Sequence, residues 1–415
     1  MNYQQGSEWH KWDLHVHTPE SIENHFSGSS TEQKWETFLE DLEKLPEDIK
    51  VIGINDYLFI EGYRKILKYK SAGRLKNIDT IFPVIEFRVK KFAGHKEFKR
   101  VNFHVIFSDN LSPDIIQNQF LNALQSKYVL SSGLSGITWN ASITIDSLAD
   151  LGKQIKATLS TKELFNYESD LVEGFRNLNL DEDEIIKLLE TNTYLQNDFL
   201  LAIGKTEWDS LPWGESSIAE KKDVINKVNF VFISSENIAA YNKAKQKLID
   251  QKVNHNLLDC SDAHYNIGSV EKDRIGKCFT WIKADTTFEG LRQVLYEFED
   301  RVFVGDIPSS KKKLNQNPTR YIRKIEIIKT DPSMKEVWFD TMPSITLNSK
   351  LVAIIGNKGN GKSAITDIIG LIGNSHNYEY FSFLRSTKFL KKNRLIEHQH
   401  IRHAWNGIQD IRLNQ

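Results

Sequence analysis

The chain has 415 residues, 40% of them hydrophobic and 26% charged, which suits two or three domains with ordinary cores. A formal net charge of -1 announces no global attraction to nucleic acid or to a membrane surface. Two cysteines, Cys260 and Cys278, exclude a disulfide scaffold and a cysteine-rich zinc module; with no signal peptide and no bilayer-spanning apolar run, the expectation is a cytoplasmic protein with no membrane partner.

Short apolar or β-branched segments alternate with amphipathic stretches up to about residue 305. In chain order the pattern predicts a helix over Thr31–Leu45, a strand over Lys50–Ile54, a helix over Gly62–Lys70 and strands over Ile81–Ile85 and Val101–Phe107. A helix follows over Ser112–Gln125, then a wholly helical insertion over Glu163–Asn192 and a strand over Phe199–Ile203. A helix over Ile218–Asn226 and strands over Phe230–Ile233 and Leu257–Cys260 complete the alternation. Such alternation indicates an α/β fold with a mainly parallel sheet, barrel or open. Pro308 to Pro318 is polar, basic and rich in turn formers, so it reads as a linker. Beyond it, Arg323–Lys329 reads as an edge strand, Leu351–Ile355 as a buried strand and Ala364–Ile372 as a helix.

Several strand ends carry metal-ligand chemistry. Asp13-Leu14-His15-Val16-His17-Thr18 puts two imidazoles at i and i+2, on one face of an extended strand. Glu86 ends the run Phe82-Pro83-Val84-Ile85, and His104 interrupts the apolar segment Asn102–Phe107. Asp262 and His264 follow Leu257–Cys260. In barrels and open α/β sheets, sites gather at the C-terminal ends of strands. Mixed imidazole and carboxylate donors suit a divalent zinc, manganese or iron ion.

The order and wording of these motifs resemble the PHP (polymerase and histidinol phosphatase) family of phosphoesterases, over about residues 9–305. The resemblance implies a distorted (β/α)7 barrel and metal-assisted hydrolysis of phosphate esters. It implies metal roles for His15, His17, Glu86, His104, Asp262 and His264, with His25 as a third histidine of the first motif. Two words depart from the family. Tyr57 stands in Asn55-Asp56-Tyr57 where a histidine ligand is usual, which leaves Asp56 a supporting role. Lys205 stands where the family has Ala-His-Pro. A protonated lysine cannot ligate a metal, but it can hold a phosphate oxygen. One firmly bound ion and a weaker second are therefore expected. The stretch Lys272–Asp285 resembles the PHP branch fused to SMC-like ATPases (TrlF-like), and Arg274 within it is a candidate phosphate contact or a partner of Asp273 or Asp285.

Gly356-Asn357-Lys358-Gly359-Asn360-Gly361-Lys362-Ser363 matches the phosphate-loop pattern Gly-x-x-x-x-Gly-Lys-Ser without a mismatch. Backbone N–H groups of such a loop wrap phosphates; Lys362 would reach the β and γ phosphates of ATP, and Ser363 would ligate magnesium. The flanking words resemble ATPases of the ABC/SMC kind, with no recognisable Walker B strand or signature loop after Ser363. The expected organisation is a PHP domain over 1–305, a linker over 306–320 and the N-terminal part of a P-loop domain over 321–415.

Basic clusters occur at Lys90-Lys91, Lys96, Lys99-Arg100, Lys311–Lys313 and Lys391-Lys392 with Arg394, while Trp9, His10 and Trp12 flank the first histidine motif. Stacked bases beside lysines would be the physical use of such groups. The leading expectation is a metal-dependent phosphodiesterase or nuclease coupled to an ATP-binding, SMC-like ATPase. Nucleic acid would be its substrate, homo-oligomers would form through the ATPase heads, and defence against foreign DNA would be its setting. Two alternatives stay open: a catalytically degenerate PHP scaffold or sensor, and a small-molecule phosphatase.

Overall fold

Period-two alternation of apolar residues dictates the main sheet. Strands β1 (Glu8–Val16), β2 (Ile49–Tyr57), β3 (Thr80–Ala93), β4 (Lys99–Phe107), β5 (Phe199–Ile203), β6 (Phe230–Ile233), β7 (Leu257–Asp259), β8 (Thr280–Ala284) and β9 (Val302–Val304) form one sheet in the order β9-β8-β1-β2-β3-β4-β5-β6-β7. The structure, a computed structural model, describes residues 7–93, 99–131, 134, 136–204, 218–329, 344–373, 375–385, 387 and 408–414. A parallel bridge of Val16 with Ala263, through His17 N–H to Ala263 O (3.1 Å) and Ala263 N–H to His15 O (3.2 Å), draws the chain after β7 alongside the end of β1. Seven strands, β1 to β7, thus nearly close into a barrel.

Pairs β1–β2, β2–β3, β5–β6 and β6–β7 are parallel, whereas β4 runs antiparallel to both β3 and β5. This corrects the mainly parallel expectation at β4, and the edge strand β9 is antiparallel to β8 as well. Parallel neighbours need a crossover of a dozen or more residues, and the segment joining β3 to β4 is too short for one. The reversal has a consequence for His104: it lies mid-strand and pairs directly with Glu86 in the β3–β4 register.

Alternate side chains separate into two cores. Trp12, Leu14, Phe82, Val84, Ile106 and Phe230 belong to an inner cluster, while Ile52, Ile85, Phe87, Phe103, Val105 and Val231 join the larger cluster under the helices. Trp12 is fully buried against Phe82, so it does not flank the site as its place in the sequence suggested. The helix Thr31–Glu43 starts where the Ser30 hydroxyl accepts from Gln33 N–H and buries Trp35, Phe38, Leu39 and Leu42 at the spacing of one helical face. The stretch 163–192 is broken rather than wholly helical: a 3-10 turn over Leu164–Asn166, then helices Asp170–Arg176 and Glu182–Thr191. Ser169 and Asp181 cap the two helices with their side chains, and such residues favour helix ends over interiors.

The chain divides into two compact units, Trp9–Asp306 and Met1–Glu8 with Ile307–Gln415. In the second, β10 (Lys324–Lys329) is paired on both sides, antiparallel to β11 (Ser344–Thr346) and β12 (Ile408–Asn414), so it is a central strand and not an edge. The expected linker holds a helix, Ser309–Gln316, because Lys311–Gln316 contains only residues that tolerate a helix and no β-branched one. Leu351–Ile355 is not a buried strand among the described residues: Leu351 is 80% and Ile355 89% exposed, and the segment pairs with no described strand. An apolar run becomes a buried strand only when neighbours supply both ladders.

Candidate metal centre

The inner face changes from apolar to polar toward the end of the sheet where β1, β2 and β3 finish. On β3 the side chains that follow Phe82 and Val84 on that face are Glu86 and Arg88; on β2 the one that follows Val51 and Gly53 is Asn55. His15 and His17 end β1 and the chain just beyond it. Asp262, three residues past β7, adopts a left-handed backbone (φ 53°). Asp is among the side chains that tolerate this conformation, and the turn it makes carries His264 back toward His17.

Four side chains meet. His15 Nε2 lies 3.1 Å from His17 Nε2, 3.2 Å from Glu86 Oε2 and 3.0 Å from Asp262 Oδ1. His17 Nε2 is 3.5 Å from Glu86 Oε2 and 3.6 Å from Asp262 Oδ1. Glu86 is 1% exposed and His17 fully buried. The His264 ring is centred 4.0 Å from that of His17, and its Nδ1 donates to Asp262 O at 2.8 Å. That bond leaves Nε2 as the acceptor facing Tyr57 Oη at 3.4 Å. Tyr57 meets the cluster twice, through this contact and through its ring, centred 4.8 Å from that of His17.

Asn55, which sequence reasoning passed over, organises one side. Its Nδ2 donates to Glu86 Oε2 at 2.7 Å and its Oδ1 accepts from His104 Nδ1 at 3.1 Å. A carboxamide oxygen only accepts, so the His104 proton sits on Nδ1 and Nε2 is a bare lone pair. That Nε2 is buried without a hydrogen-bond partner. The one sequence signal for Asn55 was a polar side chain set in the apolar run Val51–Ile54.

Charge follows from these contacts. Burial alone would lower the pKa of His15, but the Asp262 and Glu86 carboxylates outweigh it and raise it to about 9. Burial and the neighbouring imidazoles push His17 and His104 well below the usual histidine value, so both are neutral bases. Burial works against the charge on Asp262, yet His15, His17 and His264 hold its carboxyl well below the carboxylate range.

Other expected site residues stand elsewhere. His25 stacks on Tyr265 with ring centroids 4.8 Å apart and is exposed, outside the donor cluster. Asp56 accepts from Thr18 N–H (2.9 Å) and Thr18 Oγ1–H (2.8 Å), bracing the turn after His17; burial lifts its carboxyl to about 7. Arg274 donates to Glu271 O at 2.6 Å. Lys205 lies outside the described residues, as do the side chains of Lys90-Lys91, Lys96, Lys99-Arg100 and Lys391–Arg394. In the second unit, Gly356, Gly359 and Gly361 take positive φ, and Lys362 Nζ donates to Gly356 O (2.7 Å) and Asn357 O (2.8 Å) at the start of the helix Lys362–Ile372. Among the described residues no helix is long and apolar enough to cross a membrane.

The donor set fits a divalent ion. Ligand atoms about 2.1 Å from one ion lie about 3.0–3.4 Å from each other. The His15 and His17 Nε2 atoms lie 3.0–3.6 Å from each other and from the Glu86 and Asp262 oxygens, and the orphaned His104 Nε2 is a further buried donor. His15, His17 and Glu86 form one group of possible ligands, and His17, Asp262 and His264 another.

No family model and no curated protein matches the chain. Among solved structures it is similar to an amidohydrolase from Chromobacterium violaceum, described with bound sulfate and no metal. The identity is 11% over 71% of this chain and 97% of that one, with a TM-score of 0.34. So distant a likeness carries no argument about chemistry.

Proposed function

We propose that the unit Trp9–Asp306 is a metal-dependent hydrolase of phosphate esters. The observation that supports this is the approach of the His15 and His17 Nε2 atoms to within 3.6 Å of each other and of the Glu86 and Asp262 carboxylate oxygens. His15, His17, Glu86 and Asp262 would hold the first ion; His104 and His264 stand beside them for a second. A divalent ion held there supplies Lewis acidity, which makes water a nucleophile near neutral pH and draws charge from a phosphoryl oxygen. The chain's own part is to bring these donors together before an ion arrives, with His15 giving up its proton on binding. Asp262 stays ionised, His17 and His104 stay neutral, and Asn55 keeps Glu86 and His104 from rotating. Phe232 closes one wall against the His15 and His104 rings, which limits water to the open side.

The experiment is metal analysis joined to an assay. Protein purified without chelator is expected to carry manganese, zinc or iron and to cleave a chromogenic phosphodiester; His15→Ala and Asp262→Ala are expected to lose both the metal and the activity while keeping the fold by circular dichroism. Metal-loaded protein inert toward diesters and monoesters alike sinks the enzyme reading and leaves the scaffold. Cleavage of monoesters alone turns the assignment to a small-molecule phosphatase. For the second unit we propose ATP and magnesium binding at 356–363, which the three positive-φ glycines and the helix opening at Lys362 support. Nucleic acid as the polymeric substrate and nucleotide-dependent pairing of two copies extend the same proposal.

A further inference from the structure

The donor cluster opens on a cleft whose lining includes His15, His104, Asp262, Asn102, Ser234 and Lys272. Among the described lining residues Asp262 is the single carboxylate, and it is committed to the histidines. Lys272 is the single ammonium or guanidinium group. Its side chain is about half exposed (49%), and its nearest carboxylate, Asp273 Oδ1, stands 3.8 Å away, beyond hydrogen-bond distance. An exposed pair at that separation contributes little to the fold, so the ammonium is not explained by structure alone. Ser234 lies on the chain leaving β6, its Oγ within 3.2 Å of Ser261 O and 3.3 Å of Asp273 Oδ1. Asn102 precedes His104 by two on β4, so both project to the same face, and its main-chain oxygen accepts from Gly204 N–H at 2.9 Å.

Resting on the hydrolase reading above, we propose that Lys272, with Asn102 and Ser234, forms the subsite that binds the phosphate group of an ester substrate, turning one face of that group to the donor cluster and another to the ammonium. The non-bridging oxygens of a phosphate ester, two in a diester and three in a monoester, diverge from a tetrahedral centre, so one can face the donor cluster while another faces the ammonium. A lysine suits this place because a flexible ammonium meets a tetrahedral group as a point charge. Arg274, two residues on, is turned to the Glu271 carbonyl and is not part of this lining.

The test uses the full chain loaded with manganese and inorganic phosphate as the probe, titrated calorimetrically. Lys272→Ala is expected to weaken phosphate binding about tenfold or more, the scale of one charge-assisted hydrogen bond, and Lys272→Arg to retain most of it, both with wild-type metal content. Phosphate affinity unchanged in Lys272→Ala, or loaded wild-type protein that does not bind phosphate, overturns the proposal. The titration does not depend on turnover, so a failed assay of hydrolysis leaves it readable. On a hydrolysed phosphodiester, Lys272→Ala is expected to raise KM about tenfold with kcat little changed; a fall in kcat at constant KM overturns the binding role.

Discussion

Asn55 shows how much a single uncharged side chain can decide. It is fully buried and touches two candidate ligands at once, donating to Glu86 and accepting from His104. Partners that orient metal ligands typically cost about 10–100-fold in metal affinity when removed. Asn55→Leu, which fills similar volume without either bond, is therefore expected to weaken manganese or zinc binding by that factor in a competition titration with a chromogenic chelator. Asn55→Asp is expected to do worse than lose a donor, because it sets a second carboxylate against Glu86. The histidines were legible as a pair from their spacing and from the apolar strand around them. Asn55 was not, because nothing in the order of residues says which carboxylate it will face. Tyr57 was legible only as an exception to a family word, and the structure gives it a partner, His264, from more than 200 residues away.

Elements hold these residues by packing. The helix Thr31–Glu43 lays Trp35, Phe38, Leu39 and Leu42 on the outer core, and the Trp35 indole donates to Glu20 Oε1 at 2.9 Å in the turn that follows His17. The helix thus pins the loop that Asp56 braces from the other side. Phe38 is fully buried, packed on Phe26 and Trp35 with ring centroids 5.0 and 5.6 Å away. Phe38→Ala is expected to destabilise the N-terminal unit by about 3–5 kcal/mol, measured as a lowered urea midpoint at constant m-value; a loss below about 1 kcal/mol contradicts this account of the docking. Helix existence was readable from the 3.6-residue period. The broken insertion at 163–192 and the antiparallel β4 were not, since caps and strand direction depend on what the chain meets next.

The whole molecule joins two kinds of candidate site in separate compact units. A ligand that binds only the folded form stabilises by an amount set by its concentration over Kd, about 2.7 kcal/mol at a hundredfold excess. Manganese and ATP with magnesium are each expected to raise the thermal midpoint of the wild-type chain. Asp262→Ala is expected to abolish the manganese shift and keep the ATP shift, and Lys362→Ala to do the reverse. Differential scanning calorimetry reads both, and an ATP shift that survives Lys362→Ala removes the nucleotide assignment from the glycine-rich loop.

The order of residues alone determined where strands and helices alternate, that imidazoles and carboxylates sit at several strand ends, and that a glycine-rich loop opens a helix; these follow from local periodicity and from chemistry carried within a few residues. Tertiary structure alone decided that the His15 and His17 rings each come within 3.6 Å of both Glu86 and Asp262. It likewise chose Lys272 over Arg274 for the cleft and left Leu351–Ile355 exposed. Each of these depends on which segments the closing sheet brings side by side, and such pairings are selected by burial and hydrogen bonding across the whole chain.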